Sequence, residues 1–142
     1  MTPPFLDTNI FLRHLLADEP THSPAARRLL AAVEQGQLAA WTSAQVVAEV
    51  VFVLGNRKTY NKSREFIRDT LLPLLELPGL KLANKRLYRR VFALYAAWPK
   101  LSYVDAYHAA LVEQQSPPEL YSFDNDFDAI PTVTRLDPLT RT

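Results

Sequence analysis

The chain has 142 residues, enough for one domain with its own core and short for two. Hydrophobic residues make up 48% and charged ones 22%, with a formal net charge of +1, so the composition is that of a globular protein and overall charge selects no partner. The absence of cysteine excludes disulfides, a thiol nucleophile and zinc–thiolate ligation, and is compatible with a reducing cytoplasm.

The opening MTPPFLDTN lacks the basic region and long apolar core of a secretion signal. No apolar run approaches the ~20 residues that span a membrane, and a cytoplasmic protein is expected. Residues 4–7 fit a short buried strand running into a helix at about 9–17, and a second helix at about 22–35 ends at Gly36. LAAWT (38–42) is a strand candidate, after which Ser43 caps the apolar helix AQVVAEVVFVL, closed by Gly55. A helix over 61–77, a strand over 79–83 and a helix over 84–98 follow. Ser102 caps a helix at 103–115, and strands at 119–123 and 131–136 flank a helical turn at about 125–129. No repeat, low-complexity tract or linker interrupts the series, so residues 1–142 are expected to form a single domain. Short strands alternating with helices predict an α/β fold with a small parallel sheet covered on both faces. Ligands of such sheets gather beyond the carboxyl ends of the strands, where Asp7 and Asp124 stand.

Four acids do not fall on ordinary polar faces. Glu49 lies within VVAEVVFVL, with Gln45, Val46, Phe52 and Val53 as its helical neighbours. It is either a marginal residue reaching water or a basic partner, or a functional group, because buried carboxylates are rare unless satisfied. Asp105 stands three residues after Ser102, the spacing of a capping box, and favours the helix dipole from the first turn. Asp7, followed by Thr8 and Asn9, and Asp124, beside Asp126 and Asp128, are each compatible with turn chemistry.

Taken together, the four belong to segments that can meet at one sheet edge, where like charges need protons or cations to relieve them. Hard oxygen donors without cysteine or a histidine cluster favour Mg²⁺ or Mn²⁺ over zinc. Such an arrangement suits phosphodiester cleavage by an activated water. His14, His22 and His108 suggest no alternative centre, and His108, three residues after Asp105, is assigned no role. Two basic runs, NRKTYNKSR (56–64) and KLANKRLYRR (81–90), are explained as solvated helix faces or as phosphate contacts.

DTN at 7–9, Glu49 within SAQVVAEVVFVL, DA at 105–106 within LSYVDAYHAAL, and SFDNDFDAIPTVTRL at 122–136 together resemble the PIN domain. The nearest likeness is to the VapC-type ribonuclease toxins of prokaryotic toxin–antitoxin pairs, over essentially the whole chain. The resemblance implies a PIN-like three-layer fold, a small mainly parallel sheet flanked by helices, and a metal-dependent endoribonuclease with no protein nucleophile. Asp7, Glu49, Asp105 and Asp124 would be the catalytic, metal-binding acids, with Mg²⁺ or Mn²⁺ as cofactor. Asn9 would help order the site, and Ser122 stands where the family commonly has Thr and retains the hydroxyl. Asp126 would be an accessory group. The partners implied are an RNA substrate, a cognate antitoxin and a second copy of the chain, with no membrane. The alternatives are a non-catalytic regulatory module that binds metal and nucleic acid, and a stand-alone housekeeping nuclease.

Overall fold

Asp7, Ser43, Ser63, Ser102 and Asp124 each accept a backbone N–H at the head of a helical segment. These short polar side chains satisfy amide groups that have no carbonyl partner inside the helix, and so decide where each helix starts. The structure, a computed structural model, describes residues 2–140 and divides into two compact units, Met1–Arg86 and Leu87–Thr142.

In the first unit the helices are α1 (Thr8–Leu16), α2 (His22–Glu34), α3 (Ala44–Gly55) and α4 (Arg64–Leu75). β1 (Ala40–Trp41) pairs in parallel with β2 (Leu80–Lys81), Ala40 opposite Leu80. The expected strand at 4–7 is reduced to a single parallel bridge between Phe5 and Trp41. Leu6 N donates to Trp41 O at 2.8 Å and Trp41 N to Pro4 O at 3.0 Å. Two consecutive prolines, Pro3 and Pro4, leave that segment without donors for a longer ladder. Buried Thr42 ties it from the side, donating its hydroxyl to Leu6 O at 2.9 Å. Phe11, Leu30, Val50, Leu54, Ile67 and Leu71 are almost wholly buried and make the centre of this unit's core.

Chain reversals account for the differences from the expected boundaries. Helix α4 starts at Arg64 rather than 61, because Asn61 takes a left-handed φ of 49° and Lys62 N bonds back to Leu54 O. Pro73 lies inside the last turns of α4. Gly79 enters β2 so close to the end of α2 that an added Cβ would stand 2.8 Å from Val33 O. Only glycine allows that approach.

The second unit holds α5 (Tyr88–Ala97), α6 (Tyr103–Glu113), β3 (Glu119–Tyr121) and β4 (Thr134–Leu136), with a 3-10 turn at Asn125–Ala129. β3 and β4 pair in parallel, Leu120 opposite Arg135. The helix expected from 84 begins only at Tyr88, since Asn84 is left-handed (φ 56°) and Lys85–Leu87 forms a 3-10 turn. Phe92, Tyr95 and Tyr103 pack ring against ring, and Tyr88 packs on Tyr107. Burial pushes the Tyr88 and Tyr103 phenols well above the usual range, so both stay neutral. Glu113 joins the helices of this unit, pairing with Arg90 Nη2 at 2.7 Å and Nε at 2.8 Å while also accepting from the Thr132 hydroxyl.

The architecture is therefore mixed α/β, with six α-helices and short parallel strands among the described residues, as the alternation of segments predicts. Those strands form two separate parallel pairs, one in each unit. No helix of the described residues is long and apolar enough to cross a membrane.

Candidate active site

In the first unit Asp7 lies two residues beyond the Phe5 bridge and caps α1, its Oδ1 accepting from Asn9 N at 3.0 Å. The turn role considered for Asp7 is thus real, and it engages one carboxylate oxygen. Asn9 acts on this corner through its backbone N–H, while its side chain is exposed. Thr8, the first residue of α1, donates its hydroxyl to Glu49 Oε2 at 2.8 Å. This bond links Glu49 to the residue beside Asp7. Glu49 itself is exposed, although it sits in the most apolar helix of the chain. Its neighbour Phe52 is 69% exposed and Gln45 is exposed too, whereas Val46 and Val50 point inward. Glu49 therefore lies on the open side of α3, and the group that meets it is a threonine rather than a lysine or arginine.

Asp7 and Glu49 line neither of two clefts on this unit. One of about 490 Å³ lies against Asp18, Glu19, Ser23, Arg27 and Arg28. The other, about 350 Å³, runs between α1 and α2 beside Asn9, Ile10, Arg13, His22 and Leu29. His14 is partly buried in α1, where burial and the nearby Arg27 charge both lower its pKa and favour the neutral imidazole.

In the second unit only one half of the predicted capping box forms. Asp105 N donates to Ser102 Oγ at 3.1 Å, and the Asp105 carboxylate stands 3.9 Å from His108 Nδ1 on the same helix face. Asp124 follows β3 and caps the 3-10 turn, its Oδ1 accepting from Asp126 N at 2.9 Å. Asp124 N in turn donates to Ser122 Oγ at 2.9 Å, so the Ser122 hydroxyl braces the acid from behind. Asp126 takes part here through its N–H.

Arg135, which sequence reasoning missed, holds this turn at both ends. Its Nη1 donates to Ser122 O at 3.0 Å, and Nε and Nη2 reach the two oxygens of Asp128 at 2.8 Å and 3.0 Å. The guanidinium holds the Asp128 carboxyl below its usual range. A signal was present, since Arg135 interrupts the apolar alternation of PTVTRL at a position within β4. Thr8 was missed as a partner of Glu49, for which no local signal exists across 41 residues.

The donor set can be judged against a bound ion. Among the described residues of each unit, no three acidic or imidazole groups gather around one point. The groups present are carboxylate and hydroxyl oxygens supplied in small numbers, which fits a hard cation such as Mg²⁺ that keeps several of its own waters. They do not fit a soft ion, which selects sulfur or clustered imidazole.

A model of the PIN domain matches residues 5–133, a span that includes all four acids and the accessory residues Asn9, Ser122 and Asp126. The mixed α/β architecture agrees with that fold. No curated protein matches the chain.

Proposed function

The chain belongs to the PIN domain family, whose members are generally metal-dependent nucleases, and from that premise we propose that it is an endoribonuclease acting as the toxin of a type II toxin–antitoxin pair. The observation that carries the reading is the match itself, whose span, residues 5–133, contains Asp7, Glu49, Asp105 and Asp124. In this reading Asp7, Glu49, Asp105 and Asp124 would be the acids that hold Mg²⁺ or Mn²⁺ and orient the attacking water. The ion, when bound, supplies the charge that lowers the pKa of water and neutralises the phosphate. Thr8 fixes one oxygen of Glu49, Asn9 N–H fixes one of Asp7, and the Ser122 hydroxyl and Asp126 N–H fix the Asp124 turn. No side chain attacks phosphorus. The homodimer and the antitoxin partner belong to the same proposal, and exposed Phe5, Trp41, Phe52, Tyr121 and Phe123 offer apolar surface to such partners.

The decisive experiment is cleavage of RNA in Mg²⁺ by the wild type and by Asp7→Asn and Asp124→Asn. Asparagine caps a helix about as well as aspartate, so the fold is kept while a charge is removed. Each variant should lose about 100-fold or more in turnover, about 2.7 kcal/mol of transition-state stabilisation. RNA binding without any cleavage by the wild type would establish the non-catalytic module instead. Growth arrest on induced expression, relieved by the neighbouring gene product, tests the toxin role. Light scattering at tens of micromolar, on the order of ten times a micromolar dissociation constant, tests the dimer.

A further inference from the structure

The two basic runs of the chain differ in what is tied down. In the run 81–90 two of the five cations, Lys85 and Arg90, are tied into the fold. Lys85 Nζ donates to Leu80 O at 2.6 Å and also to Leu77 O, and Arg90 is held by both oxygens of Glu113. In the loop between α3 and α4 it is the backbone that is tied down. Lys58 N donates to Asn56 Oδ1 at 2.9 Å, and Thr59 N and Asn61 N both donate to Asn56 O at 3.0 Å. The Thr59 hydroxyl reaches Val53 O at 2.8 Å, and Lys62 N reaches Leu54 O at 2.8 Å. Three bonds thus gather the loop around Asn56, and two more fasten it to the last turn of α3.

The side chains this rigid loop presents are Arg57, Lys58 and Tyr60, all exposed. Among the described residues neither Arg57 nor Lys58 has a carboxylate partner, and no acid occurs between residues 56 and 64. A cation after a helix complements the dipole of that helix, which accounts for one such charge and not for an exposed aromatic beside two of them. Two exposed cations on a tied-down backbone, with an exposed aromatic in the same loop, match the chemistry of a single strand, phosphates on the charges and a base on the ring. The loop also continues the helix that carries Glu49. From Glu49 to Gly55 the axis rises about 9 Å, a distance that two or three nucleotides cover at about 3.4 Å or more each.

We propose that residues 56–62 form a contact site for single-stranded RNA, with Arg57 and Lys58 on successive phosphates and Tyr60 stacked on a base. The inference rests on the ribonuclease reading above and extends it to how the substrate strand is gripped. The test is fluorescence anisotropy of a labelled single-stranded oligoribonucleotide with the full chain in EDTA, where cleavage does not interfere, over a series of salt concentrations. Relative to wild type, Arg57→Gln/Lys58→Gln should bind about tenfold more weakly, with a salt slope shallower by about 1.4, two contacts at about 0.7 each. Tyr60→Ala should weaken binding about tenfold with the slope unchanged, and Tyr60→Phe should restore it.

An Arg28→Gln/Lys81→Gln charge control should keep the wild-type slope. A loop variant indistinguishable from wild type, or one matched by the charge control, overturns the proposal. So does loss of binding to polyglutamate with RNA binding intact, which would make the loop a contact for an acidic protein. Because binding is read without turnover, its failure is separable from failure of the nuclease reading, which the aspartate variants test in Mg²⁺.

Discussion

The hydroxyl of Thr8 donates to Glu49 Oε2 at 2.8 Å, joining the first residue of α1 to the middle of α3. Glu49 is exposed, so this bond rather than surrounding packing sets where its carboxylate points. Thr8→Val keeps the shape of the side chain and removes the donor. Stability should fall by only about 0.5–1 kcal/mol, the ordinary worth of such a bond. The Mg²⁺ concentration giving half-maximal RNA cleavage should rise several-fold, and Thr8→Ser should restore it. A Val variant with wild-type metal dependence would show that Glu49 needs no such anchor.

Arg135 grips Ser122 O and both oxygens of Asp128, spanning the turn that presents Asp124. Lysine carries the charge without the planar fork and cannot reproduce that pattern. Arg135→Lys should therefore lower cleavage with KM for RNA nearly unchanged, and amide exchange at Asp124 and Asp126 should accelerate. Exchange rates equal to wild type would mean the turn holds itself.

Glu113 tests the pH response of the second unit. Its pairing with Arg90, supported by Thr132, holds its carboxyl below the usual glutamate value of about 4.5. A depressed folded-state pKa gives stability that is present above the unfolded value and lost as pH falls through the folded one. Glu113→Gln should cost about 1–2 kcal/mol at neutral pH, less than a fully buried pair because Arg90 is half-exposed. Denaturant melts should show the gap between variant and wild type closing below about pH 4.5. A gap independent of pH would assign the cost to packing alone.

His108 stands 3.9 Å from Asp105. If oxygen ligands alone serve the reaction, His108→Ala should retain cleavage within about threefold, less than 1 kcal/mol of barrier. Loss of turnover with folding and metal binding intact would place an imidazole in the mechanism.

Helix positions followed closely from the sequence because their signals are local. Ser43 and Ser102 cap where their spacing predicts, and the 3-10 turn covers Asn125–Ala129 as expected. Strand lengths did not follow. Two residues of ladder at Ala40–Trp41 and Leu80–Lys81 are a property of pairing, which apolar runs such as LAAWT overstate. The loop contacts that postpone α4 and α5 involve left-handed Asn61 and Asn84, and neither asparagine is marked by its neighbours. At the candidate site the acids stood out by type and context. What holds them did not, because Thr8 reaches Glu49 across 41 residues and Arg135 reaches Asp128 from another strand. Glu49 reaches water, one of the alternatives its context left open, since an apolar segment can still turn Phe52 and Glu49 outward together.

Asp7 and Asp124 share one feature, each using a single carboxylate oxygen to start a helical segment. Asparagine starts such segments equally well. One transition in the first base of an aspartate codon is therefore enough to extinguish the proposed chemistry at either position while the chain goes on folding. A lineage released from the need for that chemistry has a short genetic route to an inert scaffold with its surfaces unchanged.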